Sequence, residues 1–117
     1  MIAPLWIASA FGEEPVMKDL YPAGGGHFTV AVSTCRDRSA LLNGTLANHT
    51  DDTWLYIEIQ VKLIQGSATT VYRLNLERVG PKGATFRQRI DGASGCRSVR
   101  VGEVELVSAY SAARGKK

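Results

Sequence analysis

Residues 53–64 constrain the fold of this chain more than any other stretch. Apolar side chains occupy alternate positions there, at Leu55, Ile57, Ile59, Val61 and Leu63. An alternation with a period of two places one set of side chains on each face of a β-strand. We therefore expect a strand whose apolar stripe lies in a core, while the intervening side chains face solvent.

Five further segments have strand features and are bounded by glycine, proline or polar turns: residues 27–35, 42–48, 68–79, 84–90 and 98–108. In the last of these the apolar parity changes at Gly102, as a β-bulge would produce. No segment shows a sustained helical period. Six or seven short strands with frequent turns predict a two-sheet antiparallel sandwich.

The length of 117 residues fits one domain. We expect residues 1–10 to be the remnant of a signal peptide and residues 11–27 to form an irregular N-terminal arm. Residues 28–110 would form the β-sandwich domain, and residues 111–117 a basic disordered tail. No apolar run reaches the length of a membrane-spanning helix.

The N-terminus and the cysteines both favour an exported protein, whether periplasmic, cell-surface or secreted. An apolar stretch ends in Ala8-Ser9-Ala10, which has the small-x-small form of a signal-peptidase site. The alternative is an ordinary first strand or an apolar arm. Cys35 and Cys96 are the only cysteines and lack zinc-site spacing. In an exported chain they predict one disulfide; in a reducing cytosol they would be free thiols.

Three features follow one another between residues 42 and 106. They are a strand ending in an asparagine-containing polar turn (residues 44–50), the long alternating strand (residues 54–63), and a glycine- and proline-containing turn leading to a phenylalanine (residues 79–86). In these features the chain resembles the FxLYD domain of bacterial and archaeal surface proteins. The resemblance implies an all-β, immunoglobulin-like antiparallel β-sandwich of about seven strands. It also implies a binding or spacer module that has no catalytic residues.

Catalytic and metal chemistry are poorly supported by the residue pattern. His27 and His49 are the only imidazole bases, and neither lies in a recognisable catalytic signature. Asp51 and Asp52 beside His49 supply too few oxygen ligands for a calcium site. We therefore predict that the protein is not an enzyme and uses no metal or cofactor.

Two groups of side chains are candidates for binding a partner. Trp54 and Tyr56 lie opposite the apolar stripe and would form an exposed aromatic patch, unless neighbouring strands or the N-terminal arm cover them. Seven basic and two acidic residues lie between Arg73 and Arg100, and Arg73, Arg87 and Arg89 belong to this group. They form either a solvated outer face or a basic surface. Nucleic acid is a less favoured ligand because no aromatic stacking platform accompanies them.

The function predicted from these features is that of a non-catalytic exported interaction or spacer module. It would bind a protein partner or a cell-envelope component through a sheet face or an edge strand. One alternative is a small secreted inhibitor or chaperone-like binder that uses a disulfide-braced loop at residues 91–97. Another is a binder of nucleic acid or an anionic surface through the basic residues between Arg73 and Arg100.

Overall fold

The computed structural model describes residues 15–36, 39–93, 95–112 and 115–116, without the side chains of Arg36, Cys96 and Lys116. The predicted signal-peptide remnant, residues 1–10, lies outside this part of the chain. The described strands are β1 (Val16–Leu20), β2 (Phe28–Arg36), β3 (Ser39–Asn48), β4 (Trp54–Gln65), β5 (Ala68–Val79), β6 (Ala84–Arg89), β7 (Val99–Ser111) and β8 (Gly115–Lys116). A short 3-10 turn, Cys96–Ser98, precedes β7.

The strands form two antiparallel sheets. Sheet A has the order β1-β2-β3-β6, and sheet B has the order β5-β4-β7-β8. The chain crosses from sheet A to sheet B between β3 and β4, returns between β5 and β6, and crosses again between β6 and β7. Strand β3 pairs with β6, and β4 pairs with β7. This is how strands B, C, E and F are connected in immunoglobulin sandwiches. The predicted all-β, immunoglobulin-like antiparallel β-sandwich of about seven strands is therefore confirmed.

The core lies between the two sheets and takes alternate side chains from each. Sheet A contributes Phe28, Val30, Val32, Leu42 and Leu46, and sheet B contributes Ile57, Ile59, Val61, Leu63, Leu74 and Leu76. Complete burial of an aliphatic or aromatic side chain stabilises a fold by about 1.5–3 kcal/mol. The predicted stripe on β4 is thus confirmed from Ile57 to Leu63.

The start of β4 departs from the predicted alternation. The register between β4 and β7 shifts between Trp54 and Tyr56, and Arg78 on the neighbouring strand has a positive φ of 53°. These irregularities turn Trp54 into the core, where it is fully buried, and leave Leu55 39% exposed. The prediction that Leu55 belongs to the core stripe is wrong, and Trp54 takes a core position instead, because a local irregularity reverses side-chain parity.

Strand β7 contains the predicted change of parity. Its register with β4 shifts between Lys62 and Leu63, the point opposite Gly102, which confirms the bulge. A second shift, between Glu58 and Ile59, lies opposite Val107 and was not predicted. The bulge at Gly102 keeps Val104 buried although it does not share the parity of Val99, and the second bulge does the same for Ala109 relative to Val104.

Both ends of the described chain are more regular than expected. The arm predicted to be irregular contains β1, which pairs with β2 from Val16 to Leu20. Only Leu20 of this strand is buried. The segment therefore lacks the alternation of apolar and polar residues that would predict a strand. The tail predicted to be disordered contains fully buried Ser111 and the short β8. The described residues include no helix with the length and hydropathy of a membrane span.

Candidate functional site

Trp54 belongs to the core and not to an exposed aromatic patch. Its indole Nε1–H donates to Thr50 Oγ1 at 3.0 Å, and its ring meets Phe28 edge to face with centroids 5.1 Å apart. The Thr50 hydroxyl in turn donates to Asn48 Oδ1 at 2.7 Å. The predicted role of Trp54 in binding a partner is therefore wrong, since no part of this side chain reaches the surface.

Tyr56 and Arg73 lie on the outer face of sheet B, as predicted. Tyr56 is partly buried, lies opposite Tyr110 and accepts a hydrogen bond from the Ser108 hydroxyl at 3.2 Å. Arg73 donates through Nη1 to Glu58 Oε2 at 3.0 Å. This ion pair offsets the charge of Arg73, so the face around it is a polar, charge-balanced surface.

The arginines do not form one basic surface. Arg73 and Arg100 pair with outward-facing positions of β4 on sheet B, whereas Arg87 and Arg89 pair with outward-facing positions of β3 on sheet A. The outer faces of two stacked sheets point in opposite directions. The alternative of a single basic surface is therefore wrong, because the chain changes sheets between β5 and β6.

A stack of three rings at one end of the sandwich is the aromatic surface that the structure provides. Tyr21 stacks on His27 with centroids 4.8 Å apart and an interplanar angle of 9°. His27 in turn meets His49 at 4.6 Å and 33°. Tyr21 is 67% exposed, and His49 is exposed as well. We call Tyr21, His27 and His49 the ring stack.

Two polar side chains hold the ring stack in place. His27 Nε2 lies 3.1 Å from Asp19 Oδ1, and the Thr29 hydroxyl donates to the same oxygen at 2.9 Å. His49 Nε2 lies 2.9 Å from Thr29 Oγ1. The hydrogen bond from Thr29, followed by that from His27, holds the pKa of the Asp19 carboxyl below its ordinary value.

The hydrogen bonds of this cluster link four polar side chains. Because the Thr29 hydroxyl gives its one proton to Asp19, His49 Nε2 is the donor in its contact with Thr29 Oγ1. The contacts run from His27 to Asp19 to Thr29 to His49, and the first two meet at Asp19 Oδ1. Within the described ranges there is no group of three or more His, Cys, Asp or Glu that could hold a metal ion.

Strand pairing brings the two histidines together across 22 positions of sequence. Phe28 lies opposite Asn48 in the hairpin of β2 and β3, so the residues just beyond them become neighbours. The backbone N–H of His49 donates to the carbonyl of His27 at 3.0 Å. Sequence reasoning treated the histidines as separate surface residues. The register of this hairpin is the signal that could have paired them.

The two cysteines lie at the end of β2 and in the turn before β7. Cys35, near the end of β2, is partly buried and is not a free thiol. The backbone of Cys96 lies in the 3-10 turn that packs against β2 and β3. Because the side chain of Cys96 lies outside the described part, the Cys35–Cys96 disulfide stays a prediction.

Comparison of the chain with protein-family models, with curated proteins and with solved structures finds no match. The likeness to the FxLYD domain therefore stays an expectation drawn from its motifs.

Proposed function

We propose that this protein is a non-catalytic, exported interaction module that binds a protein partner through the ring stack. The observation that carries the proposal is the exposure of Tyr21, with two-thirds of its surface accessible, while its ring is held by stacking on His27. A rigid, exposed aromatic side chain loses little conformational entropy on binding, which is why tyrosine is common in protein-binding surfaces.

The position of the ring stack in the fold supports the same function. Its histidines lie beside the turn between β3 and β4, which corresponds to the B–C loop of an immunoglobulin domain. Antibody variable domains bind antigen with loops at that end of the sandwich. The position of the loop is shared with other sandwiches of this fold. The exposed rings at that position are a feature of this chain's own residues, and they carry the proposal.

Export of the module is part of the proposal. It is supported by the small-x-small tripeptide Ala8-Ser9-Ala10 and by a Cys35 that is not a free thiol. Disulfides persist in oxidising compartments and are rare in a reducing cytosol. A periplasmic, cell-surface or secreted location would place the ring stack among envelope proteins.

Site-specific photo-crosslinking in the native host tests this function. A photo-crosslinking amino acid replaces Tyr21 in the full chain, and a matched chain carries it at Val71. Val71 is 48% exposed on edge strand β5, towards the opposite end of the sandwich. We expect a discrete cross-linked protein from position 21 and none from position 71.

A second measurement separates binding from folding. Tyr21→Ala should abolish co-purification of the cross-linked partner while leaving the melting temperature within a few degrees of the parent, because exposed substitutions have small effects on stability. Val71→Ala is the control and should retain the partner. Equal cross-linking from both positions, or full retention of the partner by Tyr21→Ala, would rule out the ring stack as the binding surface.

A further inference from the structure

The side of β7 that faces away from β4 is largely unpaired. β8 covers it only at Tyr110 and Ser111, and no other strand among the described residues pairs with it over residues 99–109. An edge of this length presents a row of backbone donors and acceptors, which commonly recruits another strand. Bulges and charged side chains restrict which strand can pair there.

The bulge at Gly102 gives this edge an approximately symmetric pattern. Val101 and Val104 both lie towards the core, on either side of the bulge, whereas Arg100 and Glu105 are both exposed on the outer face. Residues directly opposite each other in an antiparallel pair share a face. A second copy of the same edge can therefore pair antiparallel about a two-fold axis between Gly102 and Glu103.

In that register Arg100 and Glu105 are complementary, while the Glu103 side chains of the two copies, each paired with Lys62 of its own chain, flank the axis. Arg100 of each copy lies opposite Glu105 of the other, and Val101 lies opposite Val104. Both charged side chains are exposed, and no ion pair of either one occurs among the described side chains. Opposite charges directly across an antiparallel pair stabilise it, and like charges destabilise it.

Two other registers that preserve the faces are electrostatically unfavourable. An axis through Glu105 would place this carboxylate opposite its own copy and would run into the part of β7 that β8 already covers. An axis through Arg100 would set two guanidinium groups against each other. The axis between Gly102 and Glu103 combines matched faces, an Arg100–Glu105 pair and an edge that no described strand covers.

We propose that this protein forms a symmetric homodimer by antiparallel pairing of the β7 edge, which joins sheet B of the two copies into one continuous sheet. The interface is isologous, because each copy contributes the same strand. It leaves the ring stack, which lies on sheet A and its loops, available to a different partner. The inference therefore goes beyond the proposed function and does not depend on it.

A charge-swap series measured by sedimentation equilibrium tests the homodimer. In the dimer, position 100 of each copy lies opposite position 105 of the other, so this pair occurs twice. Arg100→Glu would set two carboxylates against each other at both places, and Glu105→Arg would set two guanidinium groups against each other. Each single variant should weaken dimerisation by about tenfold or more, since cross-strand charge pairs are favourable only when opposite in sign. The double variant Arg100→Glu/Glu105→Arg restores complementarity and should return to within about threefold of the parent.

Arg87, on the outer face of sheet A, supplies the control. Arg87→Glu changes charge by the same amount on the opposite face, so it should leave the dimerisation constant unchanged. Circular dichroism checks that each variant is folded. A parent chain that stays monomeric at every concentration, or a double variant as weak as the single ones, would overturn the proposal. In either case the cross-linking result at Tyr21 would be unaffected.

Discussion

Among single residues, Asn48 has the most demanding position, since its side chain joins two turns inside the sandwich. Its amide Nδ2 donates to the carbonyl oxygens of Asp52 and Gly80, each at 3.0 Å. Its Oδ1 accepts from the backbone N–H and the hydroxyl of Thr50. The network ends at Trp54, so a polar turn orients the largest side chain of the core.

We predict that Asn48→Ala lowers the free energy of unfolding by about 2–4 kcal/mol, because it leaves several buried donors and acceptors without partners. Urea denaturation followed by tryptophan fluorescence measures this change. Asn43→Ala is the matched control and should cost about 0.5–1.5 kcal/mol, because its amide donates to two carbonyl oxygens of the described residues, those of Ser33 and Leu41, on the outer face of sheet A. An equal loss of unfolding free energy in the two variants would contradict the prediction that the hydrogen bonds of Asn48 stabilise the fold more than those of Asn43.

Among the strands, β2, β3 and β6 are held together by a close approach at Gly44. Gly44 lies opposite Val32 on β2 and Phe86 on β6. A Cβ atom at this position would collide with the carbonyl oxygen of Ala31 and lie 2.8 Å from Cζ of Phe86. The absence of a side chain thus lets the Phe86 ring cover the middle of β3.

We predict that Gly44→Ala destabilises the protein by about 1–3 kcal/mol or more, because the clash involves backbone that cannot move without breaking the ladder. Thermal unfolding compares it with Gly80→Ala, where a Cβ would meet only Thr53 Oγ1 at 3.8 Å. The control should stay within about 0.5 kcal/mol of the parent. A Gly44→Ala variant as stable as Gly80→Ala would show that the strands can separate locally.

For the whole molecule, the predicted Cys35–Cys96 disulfide would tie the end of β2 to the turn that precedes β7. It would close a loop of about 60 residues and so stabilise the fold by roughly 3–4 kcal/mol. Protein isolated from its native host should therefore gain mass from alkylation only after reduction, and reductant should lower its melting temperature.

The variant Cys35→Ser/Cys96→Ser is the control for this experiment, since reductant should not change its melting temperature. Two thiols that react with the alkylating reagent before reduction would contradict the disulfide. That result would also remove the main chemical support for an exported location.

The sequence alone determined the sandwich because hydrophobic alternation is a local property of each strand. The stripe from Ile57 to Leu63, the bulge at Gly102 and the turn at Gly66 are all encoded by near neighbours, and strands appear where that pattern predicts them. The edge strand β1 escaped prediction because four of its five residues are exposed, so it has no apolar pattern.

Tertiary structure decided which surfaces the chain presents to partners. Trp54 is buried because the register of β4 with β7 shifts beside it and because Arg78 on β5 has a positive φ. The arginines lie on different sheets because the chain changes sheets between β5 and β6. His27 and His49 meet only through the register of the hairpin between β2 and β3. Parity, sheet assignment and register depend on long-range pairing, which a local pattern does not specify.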